Sequence, residues 1–333
     1  MVTPTNITDG IVPAGTLYSW TVPSFTGSVT GGASATNYPT IVTGSLLNRT
    51  NTVQTVTYVV TPTSGNCVGA AFTVVLTLNP TPEITAMSTV TCSGVPFVVT
   101  PTNVTDGIVP ASTLYSWTVP SYTGTVTGGA SATNYPTIVT GTLLNRTNTS
   151  QTITYSVVPL SGLCAGAGFT VTVILSPTPE IKAMSTVTCS GTPFVLTPTN
   201  GTDGIVPAGT LYRWNMPTYT ATMTGGQTAA NQSSVFGTLR NTVNTFQTAT
   251  YIVTPSISNC GDGLPFTVTV TIPPTPEITV ITTVTCSGVP FVVTPTNITN
   301  GIVPAGTLYS WTVPSFTGSV TGCLLYTSPS PRD

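Results

Sequence analysis

The sequence predicts an all-β chain of tandem antiparallel sandwiches, arranged like beads on a string, and three observations predict it. First, Trp20, Trp117, Trp214 and Trp311 stand 97 residues apart in nearly the same text: TLYSWTVPSFTG at 16–27, TLYSWTVPSYTG at 113–124, TLYRWNMPTYTA at 210–221 and TLYSWTVPSFTG at 307–318. A fixed period of that size is the mark of a repeat array. Second, apolar and polar residues alternate along short segments of each period, the pattern of strands with one buried and one wet face. Third, Gly, Pro and Asp-Gly turn signals interrupt those segments every 8–12 residues or so, as a sandwich requires, and no helical period is sustained anywhere.

The PTPE text at 80–83, 177–180 and 274–277 sets the boundaries. The expected modules are 1–79 (a first repeat without its opening strand), 80–176, 177–273 and 274–322 (a fourth repeat cut short). Residues 2–31 and 293–322 agree at 29 of 30 positions, Asp9 against Asn300 being the exception. Residues 323–333 match nothing in the other repeats and resemble the conceptual translation of a transposase-type sequencing adapter. They are set aside as a non-native tail.

The second repeat gives the elements in order. Glu83–Thr89 reads as a first strand, Ser93-Gly94 as a turn and 96–101 as a short strand. Asp106-Gly107 and Pro110 mark a loop. Along 114–119, Tyr115, Trp117 and Val119 share the inward face. Gly124, Gly128 and Gly129 punctuate a Thr-rich segment, and 138–144 is a further strand. Along 152–158, Ile153, Tyr155 and Val157 alternate with Thr152, Thr154 and Ser156, and 169–175 alternates the same way. The expected core anchors are Trp20, Trp117, Trp214 and Trp311 with Tyr58, Tyr155 and Tyr251. Pro159 and Pro255 are expected to end strands. The third repeat is one residue shorter between Trp214 and Tyr251 and one longer between Cys260 and Phe266. Both changes are expected in loops, where length is tolerated.

Charged residues are only 4% of the chain, with no His and a net charge of −2. No basic patch is present to neutralise phosphates, so nucleic acid is excluded as a partner. No apolar run reaches the ~20 residues that span a bilayer. A packed core is nonetheless affordable: 40% of residues are hydrophobic, and the dominant polar residue, Thr, is β-branched and favours strands.

These residues carry a resemblance. The lone Trp on a central strand, the Tyr on the next-to-last strand and the V-T-V last strand resemble an immunoglobulin-like sandwich. The PTPE linker, TCSG turn, Y-S-W, T-x-T-Y and C-x-G-x-x-F-T-V together resemble the PKD-like repeats of large secreted and cell-surface proteins of Bacteroidota. The resemblance covers 1–322 and implies an extracellular or surface location, with export through a type IX system. The acidic Gly-Asp motif of better-known PKD domains is replaced here by Thr118, Val119 and Pro120.

Two cysteines recur per repeat: Cys92 and Cys164, then Cys189 and Cys260, with Cys67 and Cys286 in the incomplete repeats and Cys323 in the tail. In an exported array they suggest disulfides. Counting favours pairing within a repeat. The sandwich topology, which sets Cys92 and Cys164 at opposite ends, favours Cys92 with Cys260. Free buried thiols are the third account. No short Cys-x-x-Cys pair or His supports zinc.

No catalytic constellation is expected. Without His there is no Ser–His–Asp or Cys–His arrangement. Glu83, Glu180 and Glu277, and Asp9, Asp106 and Asp203, recur once per repeat, as structural positions do. Asp106 beside Gly107 is a candidate Ca²⁺ ligand at a module junction, against the simpler account of an Asp-Gly turn. No other cofactor is indicated. The expected function is a non-enzymatic spacer or stalk in an adhesin-like surface protein, stiffened by the Pro-Thr-Pro linkers. Its expected partners are neighbouring repeats and surface glycans or proteins. The alternatives are repeated glycan- or protein-binding modules (for which Asn134-Tyr135 is the candidate cluster), accessory domains of a secreted enzyme, and ice binding by Thr rows.

Overall fold

The computed structural model of the protein describes residues 4–39, 44–136 and 138–320; the tail, Cys323 included, lies outside them. Every regular element among the described residues is a β-strand. Two compact units result. One comprises 1–182 with 198–212 and 254–265; the other comprises 183–197, 213–253 and 266–333, so the division runs through the third repeat.

The second repeat, in the first unit, shows the complete arrangement. Its main sheet runs in the order Met87–Cys92, Phe169–Ser176, Gln151–Ser161, Leu114–Trp117, Ala132–Tyr135. Smaller pairs complete the sandwich: Phe97–Val99 with Ile138–Gly141, and Val126–Gly128 with Leu143–Asn145. The core between them takes alternate residues of the inner strands: Tyr115 and Trp117, Ile153, Tyr155 and Val157, Phe169, Val171, Val173 and Leu175, with Phe97, Val99, Val126 and Leu143 from the smaller pairs; Met87 and Ala132 of the outer strands pack against it partly buried. Each such large apolar side chain contributes about 1.5–3 kcal/mol on burial. Tyr155 and Val157 are at or near zero exposure, and the intervening Thr152, Ser156 and Val158 stay wet.

The first repeat shares this plan. Gln54–Ser64 pairs with Leu17–Trp20 on one side and Phe72–Leu78 on the other. Trp20, Tyr18, Tyr58, Val56 and Val60 form its core. In the second unit, Met184–Val187 lies beside Phe266–Ile272, which pairs with Gln247–Ile257, and Trp214, Tyr251, Val253 and Val268 are buried.

Several expectations need correction. The first strand is two: Glu83–Ile84 belongs to a two-stranded pair, and Met87–Cys92 crosses to the main sheet. There it runs parallel to Phe169–Ser176, as Met184–Val187 does to Phe266–Ile272. The linker brings the chain to the same end from which the last strand starts, so no reversal precedes the pairing. Val119 is 61% exposed, because the strand stops at Trp117, ahead of Pro120.

Pro159 and Pro255 do not end strands; Gln151–Ser161 and Gln247–Ile257 run through them. The neighbour Phe169–Ser176 has already left at Val157↔Phe169, so the missing proline N–H breaks no bond to it. The residue lost from the third repeat does not come from a loop. In the second repeat Val98 faces Thr140 and Val99 faces Ile138, which leaves residue 139 as a bulge. The third repeat pairs Phe194↔Gly237, Val195↔Phe236 and Leu196↔Val235 without interruption. The deletion therefore removes a bulge and keeps the faces in step. The compensating insertion does fall outside strands, in the turn between Gln247–Ile257 and Gly261–Asp262: Ser161 pairs with Cys164 in the second repeat, but Ile257 pairs with Gly261 in the third.

Trp311 is also a correction. It is 71% exposed rather than in a core. Among the described residues of 274–320 the strands are Glu277–Ile278 and Gly301–Ile302 alone, so no sheet is present to cover its ring.

Candidate functional site: the repeat junctions

The feature built most consistently is the passage from one repeat to the next. Its linkers, 80–82, 177–179 and 274–276, are Pro-Thr-Pro, whose prolines fix φ and carry no N–H. The chain is then caught at once. Glu83–Ile84 pairs with Gly107–Ile108, Glu180–Ile181 with Gly204–Ile205 and Glu277–Ile278 with Gly301–Ile302. Gly107 has φ +118°, and a Cβ there would lie 2.1 Å from the Glu83 carbonyl oxygen, so only glycine fits.

The loop leading to that glycine is closed by Asp106. Its Oδ2 accepts from Thr102 N (2.7 Å) and Thr102 Oγ1 (2.9 Å). Asp9 and Asp203 accept the same pair from Thr5 and Thr199. Asn300 accepts it through Oδ1, at 2.9 and 3.2 Å from Thr296. A neutral amide thus fills the place of a carboxylate, and the position uses an acceptor rather than a charge. No cluster of three or more metal-ligating side chains occurs among the described residues.

Each junction is spanned by an ion pair that sequence reading missed. Arg49 of the first repeat lies 3.7 Å from Glu83 of the second; Arg146 lies 3.0 Å from Glu180; Arg240 lies 2.7 Å from Glu277. All are about half exposed, so water and salt screen them and each contribution is small. The signal was partly present: Glu83, Glu180 and Glu277 recur every 97 residues, and Arg49 and Arg146 follow Asn48 and Asn145, but in the third repeat Arg240 precedes Asn241 and Arg213 is a second arginine.

A covalent bond joins the second repeat to the third. Cys92 and Cys260 form a disulfide with Cα atoms 5.6 Å apart. Cys92 ends the strand opposite Ser176, where the chain leaves its repeat. Cys260 lies in the loop before Phe266–Ile272, at the near end of the next repeat. In that same loop Gly263 lets the Pro179 carbonyl approach, as Gly166 does for Pro82; a Cβ would sit 2.3 and 2.2 Å from those oxygens. Pairing within a repeat does not occur. Cys164 is a free, half-buried thiol, and Cys67, Cys189 and Cys286 are free and exposed.

The anchoring aromatics are packed, not presented. Trp117 is 7% exposed and donates from Nε1 to the Ala130 carbonyl at 2.8 Å. Burial pushes Tyr115, Tyr155, Tyr212 and Tyr251 up to about 12. In the candidate cluster, Tyr135 sets its ring edge-on to Trp117, as Tyr38 does to Trp20. The third repeat lacks that Tyr, and Phe236, from the separate strand Val235–Asn241, sets its ring edge-on to Trp214.

Also missed was a buried amide corner. Asn145 is 2% exposed; its Nδ2 donates to the Thr149 and Leu175 carbonyls, and its Oδ1 accepts from Thr147 N and Oγ1. Asn48 and Asn241 repeat the two donations and the backbone acceptance. These groups tie a turn to the last strand; with every polar atom committed, they brace the fold rather than react.

The chain matches the family model of the PKD-like domain three times, over residues 3–82, 91–179 and 186–276. No curated protein matches it. Among solved structures, it is similar at 10% identity to the FN1–FN3 domains of chicken CNTN1, over 77% of this chain and 89% of that one, with a TM-score of 0.28. The mouse clustered PcdhgC3 EC1–3 structure matches at 10% identity, over 68% and 78%, with a TM-score of 0.25. An endo-fucoidan hydrolase of glycoside hydrolase family 107, MfFcnA4, matches at 12% identity, over 76% of this chain but only 39% of that one, with a TM-score of 0.20. At such scores the solved structures decide nothing about this chain. The family matches do: three of them, in register with the repeats and covering well over half the sequence, make this chain a member of the PKD-like domain family.

Proposed function

We propose that the chain is a spacer region of a secreted or cell-surface protein, carrying no catalysis, needing no cofactor and serving to hold other parts of an adhesin-like assembly apart. One observation carries the reading: all three junctions hold the same clamp, an Arg of one repeat on the Glu that opens the next, beside a Pro-Thr-Pro linker. A repeated clamp limits bending between modules, which is what a spacer requires. The chemistry on offer supports it, since the recurring carboxylates are occupied in turns or in the clamps themselves.

Small-angle scattering tests it. A compact globule of this length would have a radius of gyration of roughly 20 Å. The spacer reading expects a value well above that. A value near the globular one, or a particle that behaves as freely jointed, would overturn it.

A further inference from the structure

The disulfide between the second and third repeats changes which residues a pull along the chain must pass through. Tension enters the second repeat through the linker at 80–82 and leaves the third through the linker at 274–276. Between those linkers, Cys92 and Cys260 lie 168 positions apart. With their bond closed, the covalent route runs from Glu83 to Cys92, across the two sulfurs to Cys260, and on through Phe266–Ile272. Residues 93–259 hang from that route as a closed loop. The linker at 177–179 and the pair of Arg146 with Glu180 both lie inside the loop.

The segments left on the route suit it. Met87–Cys92 is a strand that ends on the bonded cysteine, and Phe266–Ile272 is the last strand of its repeat. A strand rises about 3.3 Å per residue and a fully extended chain about 3.3–3.6 Å, so neither strand has slack to give. Beside them only the short stretches 85–86 and 263–265 can straighten. Pulled at both of its ends, each strand is held taut and is not dragged along its neighbour.

Opening the bond reroutes the load. The pull then enters the second repeat on Met87–Cys92 and leaves it on Phe169–Ser176. These strands are parallel, with Met87 opposite Val171 and Cys92 opposite Ser176. Parallel neighbours pulled from opposite ends slide past each other, so the whole ladder between them is sheared. The third repeat is loaded the same way, from Met184↔Val268 to Val187↔Thr271. Only in this state does tension act on either fold.

We infer that the Cys92–Cys260 bond is a bypass for tension: it carries force across the second and third repeats, which stay folded and add no length. The inference deepens the spacer reading and rests on it only for the presence of tension. Scattering tests the shape at rest, whereas stretching tests the route of the force, so the two fail separately. Both cysteines are partly exposed, so a small dithiol reaches the bond. One thiolate of the dithiol attacks a sulfur of the bond and expels the other cysteine; its second thiol then frees the first. The dithiol ends as a cyclic disulfide, and Cys92 and Cys260 have gained its two electrons and two protons.

The test stretches the full chain in an optical trap, by handles fused to its two ends. Its free thiols are capped beforehand with N-ethylmaleimide under native conditions, which leaves the disulfide closed. The working force is the lowest that opens every repeat of the Cys260→Ser chain. At that force and without reductant, the parent should be shorter than Cys260→Ser by the closed loop, 168 positions or about 550–600 Å. Dithiothreitol added under the same tension should release that length in separate unfolding steps, because both repeats are still folded when the bond opens. The parent alone carries this second measurement, so it holds even where Cys260→Ser folds poorly. A parent as long as Cys260→Ser without reductant, a missing length that dithiothreitol does not release, or its release in one jump would each overturn the inference. The single jump would mean that the repeats had come apart inside the closed loop.

Discussion

The first and second repeats have nearly the same residues and differently sealed cores. In the second, Phe169, Val171, Val173 and Leu175 are buried to between zero and 7% exposure; in the first, Phe72, Val74, Leu76 and Leu78 are only partly buried. The alternation is the same, and so is the pairing with the long strand on the inner side. What differs is Met87–Cys92, the parallel strand that closes the outer edge of the second repeat. The comparison teaches that alternation selects which side chains point inward, while the linker-borne strand decides whether water reaches them.

The sharpest way to break that comparison is to empty the sealed core. Trp117→Ala removes a 7%-exposed ring and its hydrogen bond, at a cost of about 3–5 kcal/mol to the second repeat. Denaturant unfolding should show that repeat melting first. The same change at Trp311, 71% exposed, should move nothing by more than about 0.5 kcal/mol. Equal losses at the two positions would mean that the ring environments do not differ as described.

The second effect in size is the disulfide. Cys260→Ser, or reduction of the native chain, should destabilise the second and third repeats by about 2–4 kcal/mol and leave the first unchanged. Melting in reducing and non-reducing buffer reads this directly.

Alkali sharpens the contrast further. Burial raises Tyr115 and Tyr155 to about 12, whereas Tyr18 and Tyr58 are raised by the same cause to a lesser degree. A phenol in the unfolded chain titrates near 10. The folded form therefore holds its proton more tightly, and the stability this confers is complete below about pH 10 and lost as pH rises from there through about 12. The second repeat should lose stability more steeply than the first over that window, followed by melting temperature and phenolate absorbance.

How much of this was legible beforehand depends on the kind of interaction. Tyr115, Trp117, Ile153, Tyr155 and Val157 could be placed on the inner face because a strand's side chains alternate, and that rule acts locally. The parallel course of Met87–Cys92 could not, since pairing is made by backbone groups that every residue carries. Pro159 misled for a related reason: a proline inside a strand is harmless only where the neighbour has already departed, and that is a property of register. Of the two sequence-compatible cystine schemes, only the positions of the turn and the loop at facing ends of adjacent repeats distinguish them. Arg146 with Glu180, and the Asn145 corner, were visible as recurring residues but had no period or motif to say what they touch.

The smallest expected effect bears on the loop that both repeats share. Asp106→Asn should change the stability of the second repeat by less than about 0.5 kcal/mol, and added or chelated Ca²⁺ should change neither variant. The reason is already built into the fourth repeat, where Asn300 accepts from Thr296 N and Oγ1 just as Asp106 accepts from Thr102. Asp106→Ala removes the acceptor and strands the Thr102 amide, so it should cost about 1 kcal/mol, the scale of a lost local hydrogen bond. Melting of the two variants with and without Ca²⁺ separates the accounts. If the Asn change costs as much as the Ala change, and Ca²⁺ raises the melting temperature of the parent alone, the carboxylate holds a cation and the turn is secondary.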